Sequence, residues 1–346
     1  MSKPMFSIII PVYNAEHTIT RTITELKDLG TPTYEVILVN DGSTDQTKAI
    51  IEQQIASDNR FSLISKENQG PGMARNTGIE HATGEYVLFF DADDYPKQSI
   101  LEDYAKIVSR NPDLDLVVGS FNFQTVDQGK VVSEKEYIAQ EHLYSTHEEF
   151  IEDMYTLMNQ QLMYVVWNKC YRRDHLMNYG IRFKNYSSCE DRIFNLEYYA
   201  HCKQVQMSEK LVYIYEFVGG EGITNKYKSG KYETFKEFYE EANRLTKNQS
   251  EAGMAALHLK GTTSVIFSIL ETEKLSRKEK NLEINKILAD AALLNAKSVA
   301  ITDTTTKKIT KILYNTPKWI FRSVVKSGSF VEVKLPGVMA LLKRVY

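Results

Sequence analysis

Apolar positions in the first half of the chain fall into short blocks separated by stretches of helical spacing. Residues 6–12 (FSIIIPV), 35–40, 61–65, 86–90 and 116–119 are dominated by branched or aromatic side chains and bounded by Asn, Asp, Gly or Pro, so each is predicted as a strand. Between the first two, residues 15–29 place Ile19, Ile23 and Leu26 on one helical face, and residues 45–56 repeat that spacing after Asp41-Gly42-Ser43. Strands alternating with helices need crossover connections, which predicts a largely parallel sheet with right-handed crossovers. From about residue 146 the texture turns helical, followed by a tyrosine-rich stretch at 211–217 and a glycine-rich loop at 219–222. Beyond a boundary near residue 227, segments 231–245, 251–273 and 276–296 read as three amphipathic helices. The expected organisation is an α/β domain over residues 1–227 and a mainly helical region over 228–346.

The strand at 86–90 is apolar throughout, the pattern of a central strand covered on both faces. It ends in Asp91, Ala92, Asp93 and Asp94. Open α/β sheets bind ligands at the carboxyl ends of their strands, and carboxylates packed so closely repel one another unless a cation or hydrogen-bond donors offset them. A hard divalent ion shared with phosphate oxygens is one remedy; an ordinary Asp-rich turn is the alternative.

Composition adds limits. With 346 residues, 42% apolar and 25% charged, the chain has the make-up of a globular protein of about two domains. The net charge of -3 hides an asymmetry, because residues 307–346 hold nine Lys or Arg against one Glu. No run reaches the length of apolar sequence expected of a membrane span, and the N-terminus lacks the long apolar segment of a signal peptide, so a cytosolic location is expected. Cys170, Cys189 and Cys202 show neither paired metal-site spacing nor an even count, which argues against a zinc site or a disulfide framework. The acidic α/β half and the absence of a recognition module argue against nucleic acid as a partner.

Four further clusters fall at predicted strand or helix ends. Pro11-Val12-Tyr13-Asn14 closes the first strand, where backbone groups and a ring can face a ligand; a plain strand-to-helix turn is the alternative. Asn40-Asp41-Gly42-Ser43-Thr44-Asp45 closes the second, where an ionised Asp can accept a charge-assisted hydrogen bond from a heterocycle N–H, or Ser43 or Thr44 can cap a helix. Residues 67–78, ENQGPGMARNTG, combine a glycine turn with Arg75 in the opening turn of a helix, and a cation at that positive end suggests an anionic partner. Ser187-Ser188-Cys189-Glu190-Asp191-Arg192 begins another helix, with Asp191 either a free base or part of a capping box with Ser188.

The order PVYN, NDGSTD, ENQGPGMARNTG and DADD resembles the nucleotide-sugar-binding domain of family 2 glycosyltransferases of the GT-A type, over about residues 4–225. The resemblance implies that Asp41 binds a uracil ring, that Pro11, Tyr13 and Asn14 shape its pocket with Arg75 nearby, and that Asp91 lies near the ribose. It further implies that Ala92 lines the donor site, that Asp93 holds Mn²⁺ or Mg²⁺ on the diphosphate, and that Asp191, beside Glu190, is the general base. Trp167, in a Trp-Asn-Lys segment, would wall a sugar, with a buried core Trp as the alternative. Two departures stand out: Asn40 replaces a frequent Asp, and residues 219–225 match poorly the loop that closes over the diphosphate in relatives, with Glu216 and Gly222 where a basic residue and a Ser are common.

The activity implied is metal-dependent, inverting transfer of a hexosyl or N-acetylhexosaminyl group from a UDP-sugar to a glycan, lipid-linked saccharide or wall polymer. A degraded relative serving as a binding module is one rival. A nucleotidyltransferase is another, but PVYNAEHT lacks the basic phosphate loop that it would need. The tail interleaves Lys307, Lys308, Lys311, Lys318, Arg322 and Lys326 with Ile309, Ile312, Trp319 and Val324 around Pro317, a composition suited to an anionic membrane face or to ordinary solvated helices.

Overall fold

A computed structural model describes residues 3–30, 32–93, 95–127, 129–218, 227–247 and 249–334. Asp94, the 219–225 loop and residues 335–346 lie outside them. The α/β part runs β1 (Phe6–Val12), α1 (Ile19–Lys27), β2 (Tyr34–Asp41), α2 (Thr47–Ile55), β3 (Phe61–Lys66), α3 (Pro71–His81), β4 (Tyr86–Phe89), β5 (Tyr95–Pro96) and α4 (Ile100–Arg110). It continues through β6 (Leu116–Asp127), β7 (Lys130–Tyr137), β8 (His142–Tyr144), α5 (His147–Glu152), α6 (Met154–Asn159), β9 (Lys169–Arg172), α7 (Arg173–Asn178), α8 (Glu190–Tyr199) and β10 (Val205–Val218). The helical part comprises α9 (Lys231–Leu245), α10 (Glu251–Glu271), α11 (Arg277–Leu288), α12 (Ala291–Val299), α13 (Thr305–Asn315) and α14 (Lys318–Lys334). Packing divides the chain into two compact units, one of residues 1–126, 134–186 and 190–217, the other of 127–133, 187–189 and 218–346.

The sheet follows the order β3-β2-β1-β4-β9-β6-β10-β5, with β7 beside β6 and β8 beside β10. β1 lies parallel to β2, with Ile8 opposite Val36, and parallel to β4, with Ile8 opposite Leu88; β3 extends the parallel group beyond β2. Ile8, Ile9 and Ile10, Val36 to Val39 and Val87 to Phe89 are buried, which is why these strands lack the alternating pattern of half-exposed ones. From β9 outward the sheet turns antiparallel, Val87 facing Tyr171 and Val117 facing Cys170. The four parallel strands point the same way, so the residues that follow them share one edge. α3 lies close against that group because Gly78 has no side chain: a Cβ there would sit 2.2 Å from Ile9 Cγ2.

In the helical unit α10 is the hub, packed by α9, α11, α12, α13 and α14. Contrary to the sequence expectation, α10 is long and apolar enough to cross a membrane by composition alone, but two thirds of that stretch is buried inside the protein, as in a core helix. The single helix expected over 276–296 is two. The break falls at Asp290, whose carboxylate accepts from the Ala292 and Leu293 amides and so caps α12, and Ser276 and Glu279 form a capping box on α11. α13 ends at Asn315 and α14 begins at Lys318, with Pro317 between them.

Candidate active site

The residues singled out after β1, β2 and β4 line the shared carboxyl edge. Tyr13, following β1, is 52% exposed, so its ring is open to a ligand. Pro11 pairs with Val39 in the β1–β2 ladder. Asn14 adopts a left-handed backbone (φ 48°). Its N–H donates to Ser43 Oγ at 3.0 Å and its Oδ1 accepts from the Thr44 N–H at 2.9 Å, tying the loops after β1 and β2 together. Asn40 accepts from the Ser43 N–H at 3.0 Å, a turn role that an Asp would fill equally well.

Asp41 is buried. Its carboxylate accepts from the Gly70 N–H at 2.7 Å, the Gln69 N–H at 3.0 Å and Lys66 Nζ at 3.1 Å. The glycine-rich turn before α3 thus wraps one carboxylate at the end of β2. Gly42 follows at φ 73°, where a Cβ would lie 2.8 Å from the Asn68 nitrogen, so only glycine fits. The sequence revealed Asp41 but not the lysine already on it.

Arg75 is the fifth residue of α3 rather than in its opening turn. From there its guanidinium turns away from the helix's amide end and forks between two carboxylates, NH2 to Asp91 Oδ1 at 2.7 Å and NH1 to Asp191 Oδ1 at 2.9 Å. The anions it faces are these side chains. Arg75 is 4% exposed, while the Asp91 and Asp191 side chains are 29% and 26% exposed, so the cation is sealed in and the carboxylates keep an open side. Burial alone would lower the pKa of Arg75, but Asp191 and Asp91 overcome it and raise it. Its Nε is buried without a hydrogen-bond partner, and Phe183 lies under the guanidinium at 5.4 Å.

Asp191 sits at the second position of α8, next to Glu190. Burial raises its pKa to about 7; Arg75 works against the rise, and Glu190 and Asp91 add to it. A helix N-terminus alone would keep such a carboxylate strongly ionised; here loss of hydration wins. The capping-box alternative does not describe the arrangement, since α8 starts at Glu190, Asp191 Oδ1 meets Arg75, and the Ser188 hydroxyl lies 3.3 Å from Thr234 Oγ1. Cys189, just before α8, has a left-handed φ of 63°, an uncommon conformation for a residue with a side chain.

The loop after β4 is fixed by its backbone. The Asp91 N–H donates to Tyr213 Oη at 3.2 Å, Ala92 O accepts from Thr22 Oγ1 at 2.7 Å, and Asp93 O accepts from Arg21 at 3.1 Å. These anchors leave the acidic side chains to face other groups. The Asp93 carboxyl pKa is raised, first by lost hydration and then by the Asp91 charge, with its own N–H and Arg21 offsetting part of the effect.

One expectation is corrected. Trp167 is 4% exposed and stacks on Tyr213 at 4.6 Å and Tyr215 at 5.6 Å, with Phe121 edge-on; it belongs to the core and does not wall a sugar. Its packing instead steadies Tyr213, which holds Asp91. Lys169 is likewise buried, donating to Leu162 O, Val165 O and Asn168 Oδ1.

Asn76 escaped the sequence reading. Its amide donates to Phe183 O and accepts from the Phe183 N–H, both at 2.8 Å, joining α3 to the segment that leads into α8. The only signal was a polar residue beside Arg75. Asn76→Ala would leave two buried backbone groups unpaired, so urea denaturation is expected to show a loss of about 3 kcal/mol; an unchanged midpoint would mean that the clamp contributes little.

The sequence model described as Glycosyl transferase family 2 matches residues 7–180. The chain belongs to that family and is a glycosyltransferase. It is 31% identical over 264 residues to the putative glycosyltransferase EpsH of Bacillus subtilis, covering 72% of this chain and 74% of that protein. It is 30% identical over 243 residues to the poly(ribitol-phosphate) beta-N-acetylglucosaminyltransferase TarS of Staphylococcus aureus, covering 68% of this chain but only 39% of TarS. The crystal structure of TarS residues 1–349 in complex with UDP-GlcNAc superposes with a TM-score of 0.65 at 23% identity, over 96% of this chain and 91% of that one. The fold is the GT-A fold expected from the motifs.

Proposed function

We propose that the chain moves a sugar from a UDP-sugar to a hydroxyl of a glycan, lipid-linked saccharide or wall polymer, with inversion at the anomeric carbon and Asp191 as the general base. The observation that carries this reading is the Arg75 fork, which ties the carboxylate after β4 to the one opening α8, where burial raises the Asp191 pKa to about 7 and Arg75 limits the rise. A base is most useful with a pKa near the working pH. Arg75 occupies Oδ1 of Asp191 and the side chain is partly exposed, so an acceptor hydroxyl approaching Oδ2 can lose its proton there as its oxygen attacks the anomeric carbon. The bond from that carbon to the diphosphate breaks, and UDP leaves with the electron pair.

The donor assignment rests on the similarity to TarS, whose structure holds UDP-GlcNAc, together with the Tyr13, Asn14 and Asp41 edge. In this reading Tyr13 offers its exposed ring to the uracil, and Asp41 accepts the uracil N–H once Lys66 moves aside. Pro11 shapes the pocket wall, Asp91 and Ala92 lie along the ribose, and Glu190 faces the substrate beside Asp191. The α/β domain over residues 1–227 performs the chemistry, and residues 228–346 form a separate helical domain. A cytoplasmic setting at the inner membrane face suits a nucleotide-linked donor and a lipid-linked or wall-polymer acceptor.

Among the described residues no group of three His, Cys, Asp or Glu side chains gathers to hold a metal. A Mg²⁺-like ion commonly binds through one or two carboxylates plus substrate phosphates, and Asp93 is an exposed carboxylate just past β4 whose pKa is raised by desolvation and by the Asp91 charge, so a cation beside it would be favourable. Asp93 therefore fits as the protein ligand for Mn²⁺ or Mg²⁺. When bound, the ion would offset negative charge on the departing diphosphate. Asp93→Asn is expected to remove the metal-dependent part of UDP binding in calorimetry, and unchanged binding with metal present would reject this role.

A further inference from the structure

The α13–α14 hairpin of helices shows an outward surface that folding of its own unit leaves uncovered. Both helices pack on α10, and the rings that turn inward, Tyr314 and Phe321, meet at 4.8 Å. On the opposite side of α13, Ile309 and Ile312 are 47% and 65% exposed; on α14, Trp319 is 70% exposed and Val324 49%. An isolated apolar residue at a surface is ordinary. Here four large ones lie within 16 positions on two consecutive helices.

Charge accompanies them. Lys308, Lys318 and Lys326 are exposed and make no ion pair among the described residues, whereas Lys311 is spent on the carbonyls of Ser298 and Ala300 and Arg322 reaches Asn285 Oδ1 at 2.7 Å. Beside Ile312 an open groove of about 490 Å³ is lined by Thr302, Lys308, Lys311, Asn315 and Thr316. The wall surface is mainly apolar, with the Lys308 ammonium, hydroxyls and an amide among its lining groups. A Trp at the border of apolar and wet regions, with lysines around it, is the chemistry that partitions into a lipid interface. A protein partner of ordinary polarity would leave the lysine cluster without counter-charges.

We propose that this face of α13 and α14 docks on an anionic lipid surface, Trp319, Ile309 and Ile312 entering the headgroup boundary and Lys308, Lys318 and Lys326 meeting lipid phosphates. The inference stands apart from the glycosyl-transfer reading, because it uses only the helical unit.

Trp167 and Trp319 are the two tryptophans of the chain, and only Trp319 is exposed, so fluorescence reports on the surface directly. Full-length protein mixed with phosphatidylglycerol-containing vesicles is expected to float with them and to shift its emission to the blue. Phosphatidylcholine vesicles should give neither effect. Trp319→Phe should abolish the shift while keeping the fold by circular dichroism. The triple change Lys308→Glu, Lys318→Glu, Lys326→Glu should cut flotation by about tenfold or more, with UDP release from a soluble UDP-sugar unchanged. Equal flotation with neutral vesicles, or flotation and emission indifferent to these changes, would overturn the proposal. So would a concentration-dependent dimer in sedimentation that Trp319→Phe disrupts, since that outcome assigns the face to a second copy of the chain.

Discussion

Asp191→Asn is expected to lower the rate of sugar transfer by about 10²–10⁴-fold while leaving UDP affinity nearly intact. Asparagine keeps the size and the acceptor oxygen facing Arg75 but cannot take a proton, so the change separates chemistry from binding. Wild-type activity should rise with pH as Asp191 ionises, with a midpoint near its pKa of about 7. The same residue should make the native state pay in stability. Its folded pKa lies above the value of about 3.9 for an unfolded Asp, so the folded state holds this proton more tightly and loses the associated stabilisation as pH rises from about 4 to 7. Because asparagine also leaves the buried Arg75 with one carboxylate fewer, the readout is the pH dependence: the melting difference between variant and wild type is expected to shift in the variant's favour as pH rises from about 4 to 8. Equal transfer rates in the two proteins would remove the base assignment; a melting difference that does not change with pH would refute the electrostatic account of the site.

Arg75→Met carries the second large effect. The guanidinium is sealed between Asp91 and Asp191, and removing one partner of a buried ion cluster is strongly destabilising. Because both carboxylates are partly hydrated, the cost belongs at the lower end, about 3 kcal/mol in urea denaturation. Arg75 holds the Asp191 pKa down against burial, so its loss should move the acid limb of the pH–rate profile to higher pH. Arg75→Lys should recover part of the stability but not the original limb, since a single ammonium cannot fork to two carboxylates as a guanidinium does. A limb that stays in place in both variants would show that Arg75 does not tune Asp191.

The parallel half of the sheet was legible because β1, β2 and β4 are covered on both faces and read as unbroken apolar runs. The antiparallel half was not: β9 is four residues long with Lys169 and Arg172 at its ends, and nothing local reveals that it slots between β4 and β6. Asp41, Arg75, Asp91 and Asp191 could be picked from the sequence as charged residues at or near the ends of predicted strands and helices. Their pairing could not, because the Arg75–Asp191 contact spans 116 positions. Trp167 shows the limit of composition, as an aromatic side chain looks the same in a core as in a sugar site until its neighbours Tyr213 and Tyr215 are placed. The split between α11 and α12 had only Asp290 as a signal, set within an apolar spacing that runs on undisturbed.

UDP release from a panel of UDP-sugars with Mn²⁺ and a hydroxyl acceptor, run side by side for wild type and Asp191→Asn, tests the central claim most directly. The account predicts release by the wild type from at least one donor, rising with pH through about 7, and near-total loss in the variant. Release that is absent for every donor, or equal in the two proteins, would contradict it.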